Sequence, residues 1–308
     1  MKSSSLLHSA GKTALRICFF LLLANADFTA MAQADVEQIA ARYEKDLKDP
    51  AAVPYGHNKA AGRFYRIRGF SMYAEVYGSG QPLLIIHGNG GSINNFIYQI
   101  PYFSKNYKVI VADSRAQGRS ADPGDSLSYE MMADDYSALL DSMKVDSACV
   151  IGWSDGGING LLLAIRHPGK VKKLAVTGAN LRPDTTAAWP EVLDMFEPFY
   201  DSLSHITKRN AEQRQTYKLV NLLVREPHIP LTDLQKIAAP TLVIGGDHDV
   251  IKEEHTFEIY RNIRRAYLWI LPASGHSTPI MYSEDFNRVI GNFFAKPFRT
   301  FEGAKRFS

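Results

Sequence analysis

The chain has 308 residues, 45% of them hydrophobic, and a formal charge of +3. That length and apolar content permit one large domain or two small ones around a sizeable core, and exclude a disordered or repetitive protein. Residues 1–32 carry Lys2, Lys12, Arg16 and Asp27, a net +2, so about +1 remains after them, which is no footprint for nucleic acid or an anionic membrane.

In chain order, Lys2, Lys12 and Arg16 precede the apolar run Ile17 to Ala24, and small residues follow at Ala30-Met31-Ala32 and Ala32-Gln33-Ala34. Residues 1–34 therefore read as a secretory signal peptide cleaved after about Ala32 or Ala34, and a secreted or periplasmic protein is expected. The apolar run is far shorter than the roughly 20 residues of a spanning helix, and Asn25 and Asp27 interrupt it. No stable membrane insertion is expected after cleavage. Cys18 stands too early in the run for a lipid attachment site, and Cys149 is then the remaining cysteine, a packed thiol without a disulfide partner.

Residues 35–63 form a lead-in, with weak helical spacing from Val36 to Leu47 and a Pro/Gly/Ala-rich approach from Asp49 to Gly62. From Phe64 strand-like and helix-like runs alternate: strands at Phe70 to Val76, Leu83 to Ile86, Tyr107 to Ala112, Ala148 to Ile151 and Val171 to Val176, with helices through Asn94 to Phe103 and Met131 to Met143. Continuous apolar strands in such an alternation predict an α/β class, doubly wound around a mostly parallel sheet. The pattern breaks between Asn180 and Leu234, where Ala188 to Leu203 and Glu212 to Arg225 are both amphipathic. Residues 180–235 are therefore expected to form a small helical cap, inserted between core segments 64–179 and 236–298, with a basic tail at 299–308.

Gly152-Trp153-Ser154-Asp155-Gly156 carries the chemistry. An apolar strand delivers Ser154 into a sharp turn, and Gly157 to Ile165 supply the helix that must follow, so the stretch has the form of a nucleophile elbow. Its glycines have a steric reason, since side chains at those places would meet the closely packed strand and helix. A serine hydroxyl needs a base and a group that orients the base. Asp249 follows the strand Leu242 to Ile244 and His276 follows the strand Tyr267 to Leu271, so three suitable residues stand at three strand ends.

With these residues the chain, from about Phe64 to Phe294, resembles the α/β-hydrolase superfamily. His87-Gly88-Asn89-Gly90-Gly91 is similar to its oxyanion loop, Asp113 to Ser120 to its D-x-R-G-x-G-x-S turn, with Ala116 where glycine is usual, and Gly246-Asp247-His248-Asp249 to its acid loop. The elbow and Gly178-Ala179-Asn180 are further similar to the valacyclovir hydrolase (biphenyl hydrolase-like) branch. The resemblance implies Ser154 as nucleophile, His276 as general base and then acid, Asp249 as its orienting partner, and the backbone N–H groups of Asn89 and Asp155 as oxyanion hole. It calls for no metal and no organic cofactor.

Some residues have alternative readings. Asp247 competes with Asp249 as the acid. His248 and His255 with Glu253 and Glu254 offer metal-ligand types, but they flank a helix start, where acidic residues suit the macrodipole. His87 reads as a structural histidine at a strand end, and Trp153 as core or as a wall of the substrate-binding pocket. Asp155 as nucleophile would put Trp153 at a position where the elbow needs a small residue. An ionised Asp155 beside the oxyanion site would oppose the developing charge by roughly 3 kcal/mol at about 6 Å and an effective dielectric near 20. A carboxylate in the first turn of a helix is favourable in itself, whereas that cost suggests a role, which the branch resemblance implies is to pair with an amino group on the substrate. The expected function is a serine hydrolase of small carboxylic esters, a small-molecule substrate. A lactonase, a carbon-carbon bond hydrolase, an aminopeptidase or a non-catalytic ligand sensor on the same fold are the alternatives.

Overall fold

In the computed structural model, which describes residues 30–49 and 51–301, the apolar runs become eight strands. They are β1 (Gly62–Ile67), β2 (Phe70–Tyr77), β3 (Gln81–Ile86), β4 (Tyr107–Ala112), β5 (Ala148–Trp153), β6 (Val171–Thr177), β7 (Thr241–Gly246) and β8 (Ala266–Leu271). One sheet holds them in the order β1-β2-β4-β3-β5-β6-β7-β8. β1 and β2 pair antiparallel at one edge, and β3 to β8 run parallel. Every residue of β5 and of β7 is buried, which is why those strands read as unbroken apolar runs rather than as alternation. Cys149 lies buried in β5, between Leu83 of β3 and Lys173 of β6.

Helices cover both faces, among them α1 (Ala30–Lys48), α2 (Gln99–Phe103), α3 (Tyr129–Ser142), α4 (Asp155–Arg166), α5 (Pro190–Ser204), α6 (Ala211–Arg225), α7 (Leu231–Leu234), α8 (Glu253–Asn262), α9 (Thr278–Met281) and α10 (Ser283–Ala295). β3 lies between β4 on one side and β5 on the other, with β6, β7 and β8 following β5 in order, so the direction of strand order reverses next to β3, the place outside whose carboxyl ends open α/β sheets carry their sites.

Three local differences from the sequence reading have physical causes. β1 was not anticipated as a strand of its own; it is an edge strand in which Ile67 alone is buried, so it lacks a clear apolar stripe. The single helix expected over Asn94 to Phe103 is a short 3-10 turn, Ile93–Phe96, followed by α2. Pro101 has no N–H to give to the Ile97 carbonyl and is tolerated in the first turn of α2, so the break falls at Ile97 and Tyr98. The lead-in is longer in its helical part than Val36 to Leu47, and Tyr43 of α1 is buried against the core. Residues 1–29, which hold most of the expected export signal, lie outside the described residues. Among the described residues no helix is long and apolar enough to cross a membrane.

Two buried polar assemblies bind distant parts together. Glu75, fully buried in β2, accepts from the N–H groups of Gly56 (2.9 Å) and Asn58 (2.8 Å) and from the hydroxyls of Tyr73 (2.8 Å) and Tyr77 (2.7 Å), so the approach segment is fastened to the sheet. An ionic chain runs from Lys218 of α6 to Asp122 (2.6 Å), from Asp122 to Arg115 (3.0 Å), and from Arg115 to Asp135 of α3 (2.6 Å).

The segment between β6 and β7 holds α5, α6 and α7. α6 buries Lys218, Leu219, Val220, Leu222 and Val224 against the body of the protein, whereas no residue of α5 is buried. The two helices meet through a stack: Tyr200 lies on Tyr217 with centroids 5.8 Å apart, and Arg209 and Arg225 cover the outer ring faces at 3.8 and 4.5 Å.

Candidate active site

β5 ends at Trp153, α4 starts at Asp155, and Ser154 sits between them at φ 58°, ψ −124°. A non-glycine residue there is strained by about 1–3 kcal/mol, and the surroundings must enforce it. The packing does: a Cβ on Gly152 would lie 2.1 Å from the Gly156 carbonyl oxygen, and a Cβ on Gly156 would lie 2.1 Å from that of Ile86. Only glycine lets the strand end, the helix start and β3 approach so closely.

The turn aims Ser154 at His276, whose Nε2 lies 2.9 Å from the serine Oγ. The other ring nitrogen, Nδ1, is 2.6 Å from Asp249 Oδ1. A carboxylate can only accept, so Nδ1 carries the hydrogen and Nε2 is left with its lone pair toward the hydroxyl. Burial works against a charged His276, but the charge and hydrogen bond of Asp249, with the charge of Asp155, together outweigh it and hold the imidazole above its ordinary value. Ser154, His276 and Asp249 are thus brought into one connected chain.

Asp247 is placed differently. Its Oδ1 accepts from the Ser274 N–H at 3.0 Å and lies 2.9 Å from His248 Nδ1, so it braces the acid loop against the histidine loop. Two indoles complete the bracing. Trp153 Nε1 donates to the His276 carbonyl (2.8 Å) and Trp189 Nε1 to the Asp249 carbonyl (3.1 Å). Trp153 is buried in the apolar cluster with Phe96, and the structure therefore places it behind the histidine. Trp189 was not singled out in the sequence, since a half-exposed tryptophan before a helix carries no local signal.

Around the expected oxyanion site, Asp155 is the first residue of α4 and is buried. Its Oδ2 accepts from Asn89 Nδ2 at 2.8 Å, and Asn89 Nδ2 donates also to the Leu219 carbonyl of α6 at 3.1 Å. The Tyr129 hydroxyl is a second hydrogen-bonding partner of the carboxyl. Burial pushes the Asp155 carboxyl up to about 6, while Asn89, Tyr129 and the charge of His276 pull the other way. The adjoining Gly90 N–H donates to Gln117 Oε1 at 2.7 Å. Tyr129, Gln117 and the Leu219 carbonyl were not foreseen, because they join the site only through folding.

His87 is fully buried. Its Nε2 accepts from the Ser114 N–H (2.9 Å), so its Nδ1 donates to the Gly88 carbonyl (2.7 Å), and burial pushes the ring down to about 4. His255 accepts from the Leu181 N–H at 2.9 Å, far from the pairing of His248 with Asp247. Among the described residues no cluster of three or more His, Cys, Asp or Glu could hold a metal ion. Ala116 takes φ 62°, the conformation that explains why glycine is usual there.

Chemically, this is a serine with a hydrogen-bonded base, a carboxylate fixing that base, and helix-start N–H groups at the nucleophile, which is the equipment of acyl transfer.

Comparison with known proteins agrees with that equipment. The family described as the alpha/beta hydrolase fold matches residues 81–225. The chain is 23% identical over 253 residues to the serine hydrolase BPHL of Homo sapiens, covering 74% of this chain and 84% of that protein. It is 26% identical over 250 residues to a 2-hydroxymuconate semialdehyde hydrolase of Pseudomonas sp. (strain CF600), covering 71% and 88%. Among solved structures, Est816, described as an N-acyl homoserine lactone degrading enzyme, superposes with a TM-score of 0.62 at 25% identity, over 75% of this chain and all of that one (100%).

Proposed function

From the premise that this chain belongs to the α/β-hydrolase superfamily and is an enzyme of that kind, we propose that it hydrolyses small carboxylic esters through an acyl-serine intermediate, after export from the cytoplasm. The observation that carries the proposal is the unbroken contact from Asp249 through His276 to Ser154. As Oγ attacks the ester carbonyl, His276 Nε2 takes its proton. The oxyanion that forms is met by the backbone N–H groups of Asn89 and Asp155, and His276 returns the proton to the departing alcohol. Water then repeats the sequence to free the acid. Similarity to a lactone-degrading enzyme supports ester chemistry, a lactone being a cyclic ester.

A second reading, hydrolysis of a carbon-carbon bond, is favoured by the similarity to the 2-hydroxymuconate semialdehyde hydrolase. The test is a screen of para-nitrophenyl esters of graded chain length beside amino acid esters, lactones and a meta-cleavage dienoate. Turnover of the esters is expected, with fluorophosphonate labelling at Ser154. Ser154→Ala should lose on the order of a millionfold in kcat and all labelling while staying folded. Turnover of the dienoate alone would replace the ester reading. Labelling absent from the wild type would overturn the serine mechanism itself.

A further inference from the structure

We infer that Asn89 is a positioning residue whose side-chain amide, held between Asp155 Oδ2 and the Leu219 carbonyl, fixes the direction of its own backbone N–H at the oxyanion site. The Asp155 carboxylate then serves this tether rather than a cation on the substrate. The inference rests on the serine-hydrolase reading of the site.

A primary amide nitrogen has two hydrogens, and both are spent, one on Asp155 (2.8 Å) and one on Leu219 (3.1 Å). No donor of that side chain remains for substrate. Its two anchors belong to different bodies, the first residue of α4 under the nucleophile and the inserted helix α6. Between His87 and Ser92 the sequence is Gly-Asn-Gly-Gly, so Asn89 is the one residue of this stretch able to hold it by a side chain. The peptide that carries the Asn89 N–H is held at its other end, where the Gly88 carbonyl accepts from His87 Nδ1 (2.7 Å) and from the Gly91 N–H (3.1 Å), so the side-chain tether completes a hold on both sides of an oxyanion donor that works only if it is already aimed. The carboxyl of Asp155 is buried and is met by Asn89 and by the Tyr129 hydroxyl. A substrate ammonium would have to displace protein donors to reach it.

Tether and cation site differ under substitution. Asp155→Asn removes the charge but keeps an acceptor for Asn89, whereas Asp155→Ala removes both. Steady-state constants on a neutral and on an amino acid ester are measured for the wild type, Asn89→Ala, Asp155→Ala, Asp155→Asn and the double Ala variant. The tether predicts that both single Ala variants lose about 10- to 100-fold in kcat on the neutral ester, with KM within about threefold, because a donor is misaimed rather than lost. Asp155→Asn should lose no more than about threefold on either ester, and the double variant should fall no further than the worse single one. If Asp155→Ala fails to fold, Asn89→Ala and the near-isosteric Asp155→Asn still decide the matter.

Unchanged kcat in Asn89→Ala, or a loss in Asp155→Asn confined to the amino acid ester, would overturn the inference. Rates of Ser154 labelling by a fluorophosphonate give the same comparison without ester turnover. A wild type that labels but hydrolyses no ester therefore sinks the ester reading, while the relative labelling rates still judge the tether.

Discussion

At the scale of single residues, the proposed mechanism needs a neutral His276 to accept the Ser154 proton, and its imidazole is held above the ordinary value of 6.5 by Asp249 and the charge of Asp155, against the effect of burial. Activity should therefore decline as pH falls, and kcat/KM for a neutral ester should follow an apparent pKa above 6.5. Asp249→Asn removes the acceptor that fixes the tautomer and should cost on the order of 10,000-fold in kcat, whereas Asp247→Asn, which touches only the neighbouring loop, should cost a few-fold. A pH-rate profile of the three proteins checks both statements, and an equal loss in the two variants would mean that the loop as a whole is what matters. Ser154 was legible because its signal is local, a serine between glycines after a strand. The residues alone left Asp247 beside Asp249, and the resemblance favoured Asp249; it is the path of their shared loop in space that puts Asp249 against His276. The Asn89 contacts were illegible for the same reason, their partners lying 66 and 130 positions away.

At the scale of elements, β2 shows how a sheet can hold a carboxylate in its interior when four donors converge on it. Glu75→Ala would leave the Gly56 and Asn58 N–H groups without their acceptor and free two tyrosine hydroxyls. A loss of roughly 2–4 kcal/mol in urea unfolding is expected, with Glu75→Gln between the two. A loss below about 0.5 kcal/mol would show that water replaces the carboxylate without cost. Nothing in the sequence singled out Glu75, because one acidic residue in a β-rich run reads as a solvent-facing position. The buried parallel strands announced themselves by their unbroken apolar content, while the edge strand β1 did not. Helix type was legible where an apolar stripe was long enough, and less so over Asn94 to Phe103, where the helical run breaks at Ile97 and Tyr98 and Pro101 falls in the first turn of α2.

At the scale of the whole molecule, acid acts on buried groups of opposite sense. His87 titrates near 4 in the folded protein and near 6.5 unfolded, so between those values the unfolded chain binds more protons and stability falls by about 3 kcal/mol as pH drops. Burial raises the Asp113 and Asp155 carboxyls from 3.8 to about 6, so the folded protein binds more protons there and gains about 3 kcal/mol from each over nearly the same interval as pH drops. His255, buried and pushed down to about 4, adds a second loss. His276, Asp135 and Glu226 are also raised and add to the gains, so the losses at the two histidines should be offset and the urea midpoint should not fall between pH 6.5 and 4. Asp155→Asn removes one gain, so its stability should fall by about 3 kcal/mol more than the wild type's across that range. Parallel curves for the two proteins would show that Asp155 is not a raised carboxyl. The α/β architecture could be read in advance, but this balance could not, because it depends on which polar groups the sheet and helices close over.

The thiol of Cys149 has a use that follows from where it lies. It is enclosed between the two central neighbours of its strand, and burial raises it to about 11, so both shielding and protonation keep it from electrophiles in the native protein. Alkylation must wait until β3 and β6 part from β5. In a protein whose Cys18 has been replaced or removed, the rate of that modification is a built-in clock for breathing at the centre of the sheet, read without any probe being introduced.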